Sequence, residues 1–394
     1  MMTLVKDYAE QIRGVSYKPE DVCEELNDES ITLLRANNIT DSGLCFDDLV
    51  YVRRNKVKDV QKLQKGDVLI CTSSGSKALV GKAAYVTKDM DMTFGAFCKV
   101  IRPHGVNTDY FQYFFQSPAY RKKISELAAG ANINNIRNEH IDGLAFYLPD
   151  ISTQQRIADT LDKVSEGIEV CRRMLGELDL MVKSRFMEMF GEPVNNPMGW
   201  PIKKLNSVIS SITAGWSANG EARQKRAGEK AVLKVSAVTQ GFFKPNEHKA
   251  LPYDVAIKKY IYPQKGDLLF SRANTRELVG ATAIIEQDYP ELLLPDKLWK
   301  ILFTSEIDVY YAKYILSSEP IRKIFSAQST GTSGSMYNVS ADKFRDISIP
   351  VPPIANQHQF AAFVQQTSKS KLTIQKILDK MELEKLALMQ KYFA

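Results

Sequence analysis

The 394-residue sequence has few features of membrane, secreted or metal-binding proteins. It contains no apolar run that approaches the roughly 20 residues needed for a membrane-spanning helix. The N-terminus, MMTLVKDYAEQIRG, brings in acidic and polar residues too early for a secretory signal. These absences predict a cytoplasmic protein that does not contact a membrane.

Cysteine and histidine are scarce and widely separated. The five cysteines form no C-x-x-C pair, and the four histidines have no second histidine or cysteine at the spacing of metal ligands. We therefore expect free thiols rather than a disulfide framework, and we expect no metal site in this chain.

Sequence motifs of catalysis are also absent. Gly75-Ser76-Lys77 lacks the preceding glycine of a phosphate-binding loop, and its counterpart at residues 272–276 contains neither glycine nor lysine. There is no G-x-S-x-G or H-E-x-x-H motif. A DNA methyltransferase would need a glycine motif for S-adenosylmethionine and a D/N-P-P-Y/F tetrapeptide, and the sequence contains neither. A nuclease would need an acidic-x-lysine element after Asp296 and Lys297, and this element is absent. The chain is therefore predicted not to be an enzyme.

The sequence does contain an internal duplication. QKGDVLICTSSGSKALVG begins at Gln64, and QKGDLLFSRANTRELVG begins at Gln264. Further matches at an offset of about 200 residues pair DYFQYFFQSPAYRKK with DVYYAKYILSSEPIRK, and ISTQQRIADTL with IANQHQFAAFV. Such a repeat indicates two diverged copies of one structural unit.

Each copy begins with a segment that has the pattern of an α/β (α+β) globule. Short β-branched and aromatic runs such as DVLICT and DLLFSR alternate with helical segments, and a Lys-Gly-Asp turn precedes a buried strand in both copies. The pattern predicts two repeated globules, at residues 1–148 and 202–351.

Each globule is followed by a long helix, predicted at residues 149–190 and 352–394, and a linker at 191–201 is predicted between the first helix and the second globule. Apolar residues recur there in alternating steps of four and three, the heptad seam of a coiled coil. The helices are expected to pack antiparallel and to hold the globules apart, with a length of about 50 Å each. Ser152 and Gln155 are predicted to form a capping box at the start of the first helix. The residues predicted to form the helix–helix or partner interface are Ile157, Leu161, Val164, Ile168, Leu175, Leu178, Phe360, Ile374, Ile377 and Met381.

Basic residues in both globules point to nucleic acid. A net charge of +6 permits binding to phosphates, which position a protein on DNA without reading its sequence. The candidate phosphate contacts are Arg53, Arg54, Lys122, Lys123, Lys258 and Lys259.

Two loops in each globule carry side chains that can read base edges. The framework around these loops repeats while the loop residues differ, which is how two related modules would read different half-sites. Asn135 and Asn338 do not differ, and either base reading or capping of the next helix explains them. The candidate DNA-binding residues are Ser73, Ser74, Lys77, Asn132, Asn134, Arg137, Arg272, Asn274, Arg276, Thr332, Ser333, Ser335 and Tyr337.

Three segments carry a resemblance to a known family. LPDISTQQRIADTLDKV, IPVPPIANQHQFAAFV and FGEPVNNPMGWP resemble the specificity subunits of type I restriction–modification systems, and the resemblance covers the whole chain. It implies a non-catalytic subunit in which each globule is a target recognition domain. Each domain would read one half of a bipartite, asymmetric site in double-stranded DNA through the major groove.

The resemblance also implies partners. The two conserved helices would set the spacing of the half-sites and bind two modification (methyltransferase) subunits, and the complete assembly would include two restriction subunits that act as an ATP-dependent endonuclease and translocase. S-adenosylmethionine, ATP and Mg would then be bound by the partner subunits, and no cofactor by this chain.

Three other interpretations stay open at this point. The chain could serve a related system in which restriction and modification share one polypeptide. It could be a coiled-coil assembly protein that never contacts DNA, or an enzyme with an unrecognised site near residues 73–77.

Overall fold

The computed structural model describes residues 1–40, 42–76, 78–128, 134–329 and 337–393. It divides into two compact units. Unit 1 comprises Met1–Arg173 and Gln375–Ala394, and unit 2 comprises Met174–Ile374. Within the described ranges, no helix is long and apolar enough to cross a membrane.

Unit 1 contains the first copy of the repeat. Its strands are β1 Met2–Leu4, β2 Ala9–Arg13, β3 Val22–Cys23, β4 Ser30–Leu34, β5 Ile39–Thr40, β6 Gly43–Leu44, β7 Val50–Arg53, β8 Val68–Cys71, β9 Ser73–Ser74, β10 Ala83–Tyr85, β11 Met92–Phe94, β12 Cys98–Pro103, β13 Asn134–Asn135 and β14 Ala145–Tyr147. The helices that begin in this copy are α1 Thr108–Gln116, α2 Pro118–Leu127, α3 Asn138–Asp142 and α4 Ile151–Phe190.

Unit 2 contains the second copy. Its strands are β15 Ile202–Lys204, β16 Ile209–Ala214, β17 Ala231–Leu233, β18 His248–Ala250, β19 Leu268–Ser271, β20 Ala273–Asn274, β21 Thr282–Ile284, β22 Leu292–Leu293, β23 Leu298–Phe303, β24 Tyr337–Asn338 and β25 Ser348–Pro350. The helices that begin here are α5 Leu205–Val208, α6 Val309–Ser317, α7 Glu319–Gln328, α8 Ala341–Arg345 and α9 Ile354–Phe393.

The main sheets of the two units share one topology. The main sheet has the order β10-β8-β12-β2 in unit 1 and β21-β19-β23-β16 in unit 2, with antiparallel pairs throughout. A second sheet contains one parallel pair in each unit, β4 with β11 and β17 with β22. The duplication read from the sequence is therefore a duplication of the fold, and the predicted α/β class with two repeated globules is confirmed.

The core of each unit forms where the two helices after the main sheet pack on it. In unit 1, Tyr110, Phe111 and Tyr120 are fully buried, and the Tyr110 ring lies 5.1 Å from that of Phe393 at the end of α9. In unit 2, Tyr311 is equally buried and stacks on Phe186 of α4 at 5.8 Å. Each core thus includes part of a long helix. The five cysteines are free, and three of them are buried.

The repeated Lys-Gly-Asp segment is a turn that also carries a buried charge. Gly66 and Gly266 have φ values of +96° and +88°, which favour glycine. The carboxylate of Asp67 accepts a hydrogen bond from the Gln64 N–H at 2.8 Å, and that of Asp267 from the Gln264 N–H at 2.6 Å. The same carboxylate therefore closes the turn in both copies.

A buried glutamine docks each long helix on the helix that follows the main sheet. The Gln154 side chain accepts from the Asn107 N–H at 2.9 Å and donates to the Pro149 carbonyl at 2.8 Å. Gln357 accepts from the Asp308 N–H at 2.9 Å and donates to the Pro352 carbonyl at 2.7 Å. The proline–glutamine motif shared by the copies is thus a hydrogen-bonded joint.

The start of α4 differs from the predicted capping box. Asp150 is the capping residue, because its carboxylate accepts from the Thr153 N–H at 2.9 Å and from the Ser152 hydroxyl at 2.5 Å. The hydroxyl of Ser152 and the bonds from Thr153 lower the pKa of Asp150 well below its usual range. Ser152 lies inside the helix, so its assignment as the cap was wrong.

Within each unit the two long helices run antiparallel. In unit 1, Leu161 lies in one cluster with Met389, whereas Arg172, eleven residues further along α4, pairs with Glu382 at 2.8 Å. In unit 2, Asp179 pairs with Lys371 at 2.6 Å. The antiparallel packing was predicted. The division into five segments and the separation of the globules by the helices stay predictions.

Most predicted seam residues of α4 and α9 face the other helix or the core. Ile157, Leu161, Ile168 and Phe360 are buried. Those that are partly buried are Val164, Leu175, Leu178, Ile374 and Met381.

Ile377 does not belong to the seam. It is 47% exposed, whereas Leu378 is 6% exposed and continues the alternating steps from Ile374 to Met381. Other positions of the same seam are occupied by Thr367, which is buried, and by the partly buried Lys371 and Lys385. Because these polar residues interrupt the apolar pattern, the sequence did not reveal the heptad register of α9. A partner contact for Ile377 stays a prediction.

Candidate nucleic-acid interface

The two loops predicted to read bases meet in each unit. In unit 1, β9 pairs antiparallel with β13, so that Ser73 lies opposite Asn135 and Ser74 opposite Asn134. The Ile136 N–H donates to the Thr72 carbonyl at 2.8 Å and extends this pair. We call the β9–β13 pair ribbon 1. Two loops separated by about 60 residues in sequence thus form one element.

Unit 2 has the same element, which we call ribbon 2. Strand β20 pairs antiparallel with β24, with Ala273 opposite Asn338 and Asn274 opposite Tyr337. The Val339 N–H donates to the Arg272 carbonyl at 2.9 Å, as Ile136 does to Thr72 in unit 1. The backbone frame is therefore the same in both units, while most side chains on it differ.

The predicted base-reading residues in the ribbons are accessible to different degrees. Ser73, Ser74, Asn274 and Tyr337 are half-buried. Of Asn134, the structure describes the backbone in β13. Predicted residues that lie outside the described ranges are Lys77, Asn132, Thr332, Ser333 and Ser335.

Three arginines flank the ribbons. Arg137 is exposed, and its guanidinium lies 3.4 Å from the Glu139 carboxylate. Arg276 is exposed and donates to the Ser326 hydroxyl at 3.3 Å. Arg272 is half-buried, and its Nε donates to the Asp296 carbonyl at 2.9 Å. Arg137 and Arg276 therefore present charge to solvent beside the ribbons.

Asn135 and Asn338 do not cap the following helices. Both lie in ribbon strands. Helix α8 is capped by Ser340, whose hydroxyl accepts from the Lys343 N–H at 3.3 Å, and the residue before α3 is Arg137. The capping interpretation was wrong, and the two asparagines occupy equivalent places in the two ribbons.

A third segment at each ribbon was missed in the sequence. The turn at residues 95–98 is closed by a bond from the Cys98 N–H to the Gly95 carbonyl at 2.8 Å, and the turn at 295–298 by Leu298 to Pro295 at 3.3 Å. The Phe97 carbonyl accepts from the Thr72 N–H at 2.8 Å, and the Lys297 carbonyl accepts from the Arg272 N–H at 3.1 Å. We call these turn 1 and turn 2. The sequence signal that could have revealed these turns is the alignment of FGAFCK, which begins at Phe94, with LPDKLW, which begins at Leu294.

A glycine allows the backbone to approach the base of each turn. A Cβ atom on Gly14 would lie 2.1 Å from the Gly95 carbonyl oxygen, and one on Gly215 would lie 1.7 Å from that of Leu294. The next residue hydrogen-bonds there in both units: Val15 donates to Phe94 at 2.7 Å and Trp216 to Leu294 at 3.2 Å. Any larger residue would displace the turn.

An arginine fixes the segment that follows the first ribbon strand. Arg121 donates to the carbonyls of Val80 at 3.0 Å and Ala78 at 3.2 Å. Arg322, at the equivalent place in α7, donates to the Val279 carbonyl at 3.1 Å and to that of Glu277. Burial lowers the pKa of the Arg322 guanidinium. These arginines position the loop rather than extend the basic surface.

The candidate phosphate contacts lie on separate elements. Arg53 ends β7, Lys122 and Lys123 lie on α2, and Lys258 and Lys259 lie in the segment before β19; all five are exposed.

Arg54 has a structural role instead. Its guanidinium donates to both carboxylate oxygens of Asp91 at 2.9 Å and to the Ser30 carbonyl at 3.0 Å. The hydrogen bond from Arg54 lowers the pKa of Asp91. Because this bidentate pair occupies the guanidinium, Arg54 is not available as a free phosphate contact.

Comparison with known proteins decides the family. A family model described as type I restriction modification DNA specificity domain matches residues 16–178 and 197–385. The chain belongs to this family. Two matches to one domain model correspond to the two copies of the fold, and the expected resemblance is confirmed.

Two relatives cover nearly the whole chain. The EcoKI specificity subunit of the Escherichia coli K12 type I restriction enzyme is 31% identical over 380 residues, which is 93% of this chain and 81% of that protein. The StySPI specificity subunit from Salmonella potsdam is 27% identical over 381 residues, with the same coverage. This chain is therefore a DNA-specificity subunit of a type I restriction–modification complex and has no catalytic role of its own, as expected.

Solved structures of type I systems share the fold. The S subunit from M. genitalium superposes with a TM-score of 0.59 at 13% identity, covering 100% of this chain and 96% of that one. A chain from a structure on complex assembly and conformational transition of the type I R-M system gives a TM-score of 0.54 at 16% identity, covering 100% and 97%. At these identities the likeness concerns the fold alone.

Proposed function

We propose that each unit of this specificity subunit reads one half of a bipartite, asymmetric site in double-stranded DNA through the major groove. The observation that carries the proposal is the repeated frame with different side chains. Ribbon 1 carries Ser73 and Ser74 where ribbon 2 carries Ala273 and Asn274. Identical frames would approach DNA in the same way, and different side chains would select different bases.

The chemistry of the ribbon residues suits base edges. The amide of Asn274 can donate to and accept from adenine in a bidentate pair, and Arg276 can donate to guanine O6 and N7. The hydroxyls of Ser73 and Ser74 can donate or accept, so they fit either partner. Each unit has one exposed arginine beside its ribbon, Arg137 or Arg276, but the ribbon strand of unit 1 offers serine hydroxyls where that of unit 2 offers an asparagine amide, which favours unlike half-sites.

The exposed basic residues are proposed to contact phosphates. Arg53, Lys122 and Lys123 serve unit 1, and Lys258 and Lys259 serve unit 2. Each phosphate contact adds affinity without sequence preference and makes binding fall with salt concentration. Substitution of Lys122 would therefore weaken binding to all sequences alike and reduce the slope of the salt dependence by about one.

The long helices are proposed to set the distance between half-sites and to bind two modification subunits, with two restriction subunits in the complete assembly. The boundary between the units falls within both helices, after Arg173 and after Ile374, so each helix belongs to both reading modules. S-adenosylmethionine, ATP and Mg would be bound by the partner subunits, and the complex would act in the cytoplasm.

Mapping of methylated adenines across the genome, with and without this gene, tests the proposal. Loss of one bipartite motif is the expected result, and an unchanged methylome in an active system would contradict it. Exchange of residues 1–148 for the corresponding domain of another specificity subunit should then change one half-site and leave the other intact. A change in both would refute the assignment of one unit to one half-site.

A further inference from the structure

Phe97 is an exposed aromatic residue on the central part of turn 1. Its side chain is 69% exposed, more than Phe242 at 54% and Phe46 at 44%. An exposed apolar side chain alone is common and needs no function. Its position beside ribbon 1 is the feature that gives this one significance.

The backbone of Phe97 is fixed to ribbon 1. Its carbonyl accepts three hydrogen bonds, from the Thr72 N–H at 2.8 Å, from the Thr72 hydroxyl at 3.0 Å and from the Ser73 N–H at 3.2 Å. The other end of the turn is held by the Gly95 N–H, which donates to the Leu34 carbonyl at 2.9 Å. Phe97 is therefore presented from a preorganised backbone next to a residue predicted to read bases.

The second copy has a different side chain at this place. Lys297 occupies the same position of turn 2, and its carbonyl accepts from the Arg272 N–H at 3.1 Å. An aromatic hydrocarbon in one unit is thus replaced by an ammonium in the other on the same backbone. The ribbons show the same contrast, with an invariant frame and variable side chains.

We infer that Phe97 is a specificity-determining residue of unit 1 that contacts the C5-methyl group of a thymine in the half-site of this unit. The inference rests on the proposed function. A phenylalanine ring offers no hydrogen bond, and the apolar group that a base pair displays in the major groove is the thymine methyl. Turn 1 is then a third reading segment beside the two strands of ribbon 1.

The first test is the methylome of cells that carry this chain with its modification subunits. Phe97→Ala should relax the preference for a T·A pair at one position of one half-site, with the rest of that half-site, the spacer and the other half-site unchanged. Phe242→Ala is the matched control, because it removes an exposed phenylalanine from unit 2, and it should leave the motif intact. A motif that is unchanged at every position in Phe97→Ala would overturn the inference, as would a unit 1 half-site without a T·A pair.

The second test measures binding of the purified complex with modification subunits to duplexes in which that thymine is replaced by uracil, which lacks the methyl group. The wild-type complex should bind the uracil duplex about fourfold more weakly, the effect of one buried methyl group. The Phe97→Ala complex should bind both duplexes equally. Equal loss in both complexes would refute the contact.

Two outcomes separate this inference from the proposed function. If the wild-type gene controls no bipartite motif, the proposed function fails and the inference fails with it. If the motif exists and Phe97→Ala leaves it unaltered, only the inference fails. Should Phe97→Ala not fold, Phe97→Lys, which introduces the side chain of turn 2, is judged by the same criteria.

Discussion

Lys313 is a cation whose charge the fold stabilises poorly, and its replacement should stabilise unit 2. It lies one residue before Tyr314 on α6, partly buried, with its ammonium 4.0 Å from the centre of the Tyr314 ring. Burial, together with the charge of Lys371, lowers its pKa to about 8. Unit 1 has the neutral Gln112 at the equivalent place before Tyr113, which makes Lys313→Gln the substitution offered by the repeat itself.

The size and the pH dependence of the effect follow from this pKa. A fall from 10.5 to about 8 means that the folded protein binds this proton less tightly than the unfolded chain does, at a cost of about 3 kcal/mol near pH 7. Because the pKa is lower in the folded state, the cost is complete below pH 8 and shrinks as the pH rises from 8 to 10.5. At pH 9.5 about 1 kcal/mol remains. Loss of the contact with the Tyr314 ring removes about 1 kcal/mol of the gain.

Urea unfolding at pH 7 and at pH 9.5, followed by circular dichroism, measures the effect. Lys313→Gln should raise the free energy of unfolding by about 2 kcal/mol at pH 7, and this advantage should fall by about 2 kcal/mol at pH 9.5. Lys323→Gln is the control, because it makes the same charge change at a side chain that is 75% exposed; it should stay within about 0.5 kcal/mol at both pH values. Equal stabilisation at both pH values would assign the effect to packing and refute the electrostatic argument.

Two further substitutions test the frame that carries the ribbons and turns. Gln357→Leu should lower the free energy of unfolding by about 2–4 kcal/mol, because the Asp308 N–H and the Pro352 carbonyl lose their hydrogen-bond partner. Gln366→Leu, at an exposed position of the same helix, is the control and should have little effect. Equal urea midpoints for the two variants would contradict the role of Gln357 as a hydrogen-bonded joint. Gly14→Ala should cost more than 2 kcal/mol, since its Cβ would meet backbone at 2.1 Å, while Gly75→Ala has no atom within 4 Å and should be nearly neutral by the same measurement.

Local sequence patterns predicted the large elements well. The heptad steps and the preceding prolines located both long helices, which begin at Ile151 and Ile354, and the internal match located the two copies. Apolar periodicity is a property of neighbouring residues, so it can be read without knowing the fold. It failed at Ile377, where Lys371 and Lys385 occupy seam positions and leave too few apolar residues to set the register.

The long-range contacts could not be predicted from the sequence. From the sequence Arg54 was predicted to be a phosphate contact, whereas the fold brings Asp91, which is 37 residues away, within 2.9 Å of its guanidinium. Nothing in the sequence places Phe97 beside Thr72, which is 25 residues away and whose hydroxyl donates to the Phe97 carbonyl. Each of these contacts depends on which strands pair, and single-sequence patterns do not specify pairing.

The two copies also share a buried ion pair in the frame that carries the ribbons and turns. In unit 1, Arg102 follows Ile101, which lies opposite Val68 in the β12–β8 pair, and it donates to both carboxylate oxygens of Asp67, at 2.7 and 2.8 Å. In unit 2, Leu302 follows Ile301, which lies opposite Leu268, and the cation is instead Lys300, which precedes Ile301 on β23 and reaches Asp267 at 2.8 Å.

The cation has moved by two residues while the carboxylate has stayed. The reason is that the carboxylate closes the turn through the N–H of Gln64 or Gln264, so its own position is fixed by backbone. Burial raises the pKa of Asp267, and a buried charge without a partner would cost several kcal/mol. A cation must therefore be present, but either neighbouring position on the strand can supply it. The frame constrains charge and backbone, and this leaves the side chains of the ribbons and turns free to differ between the two units.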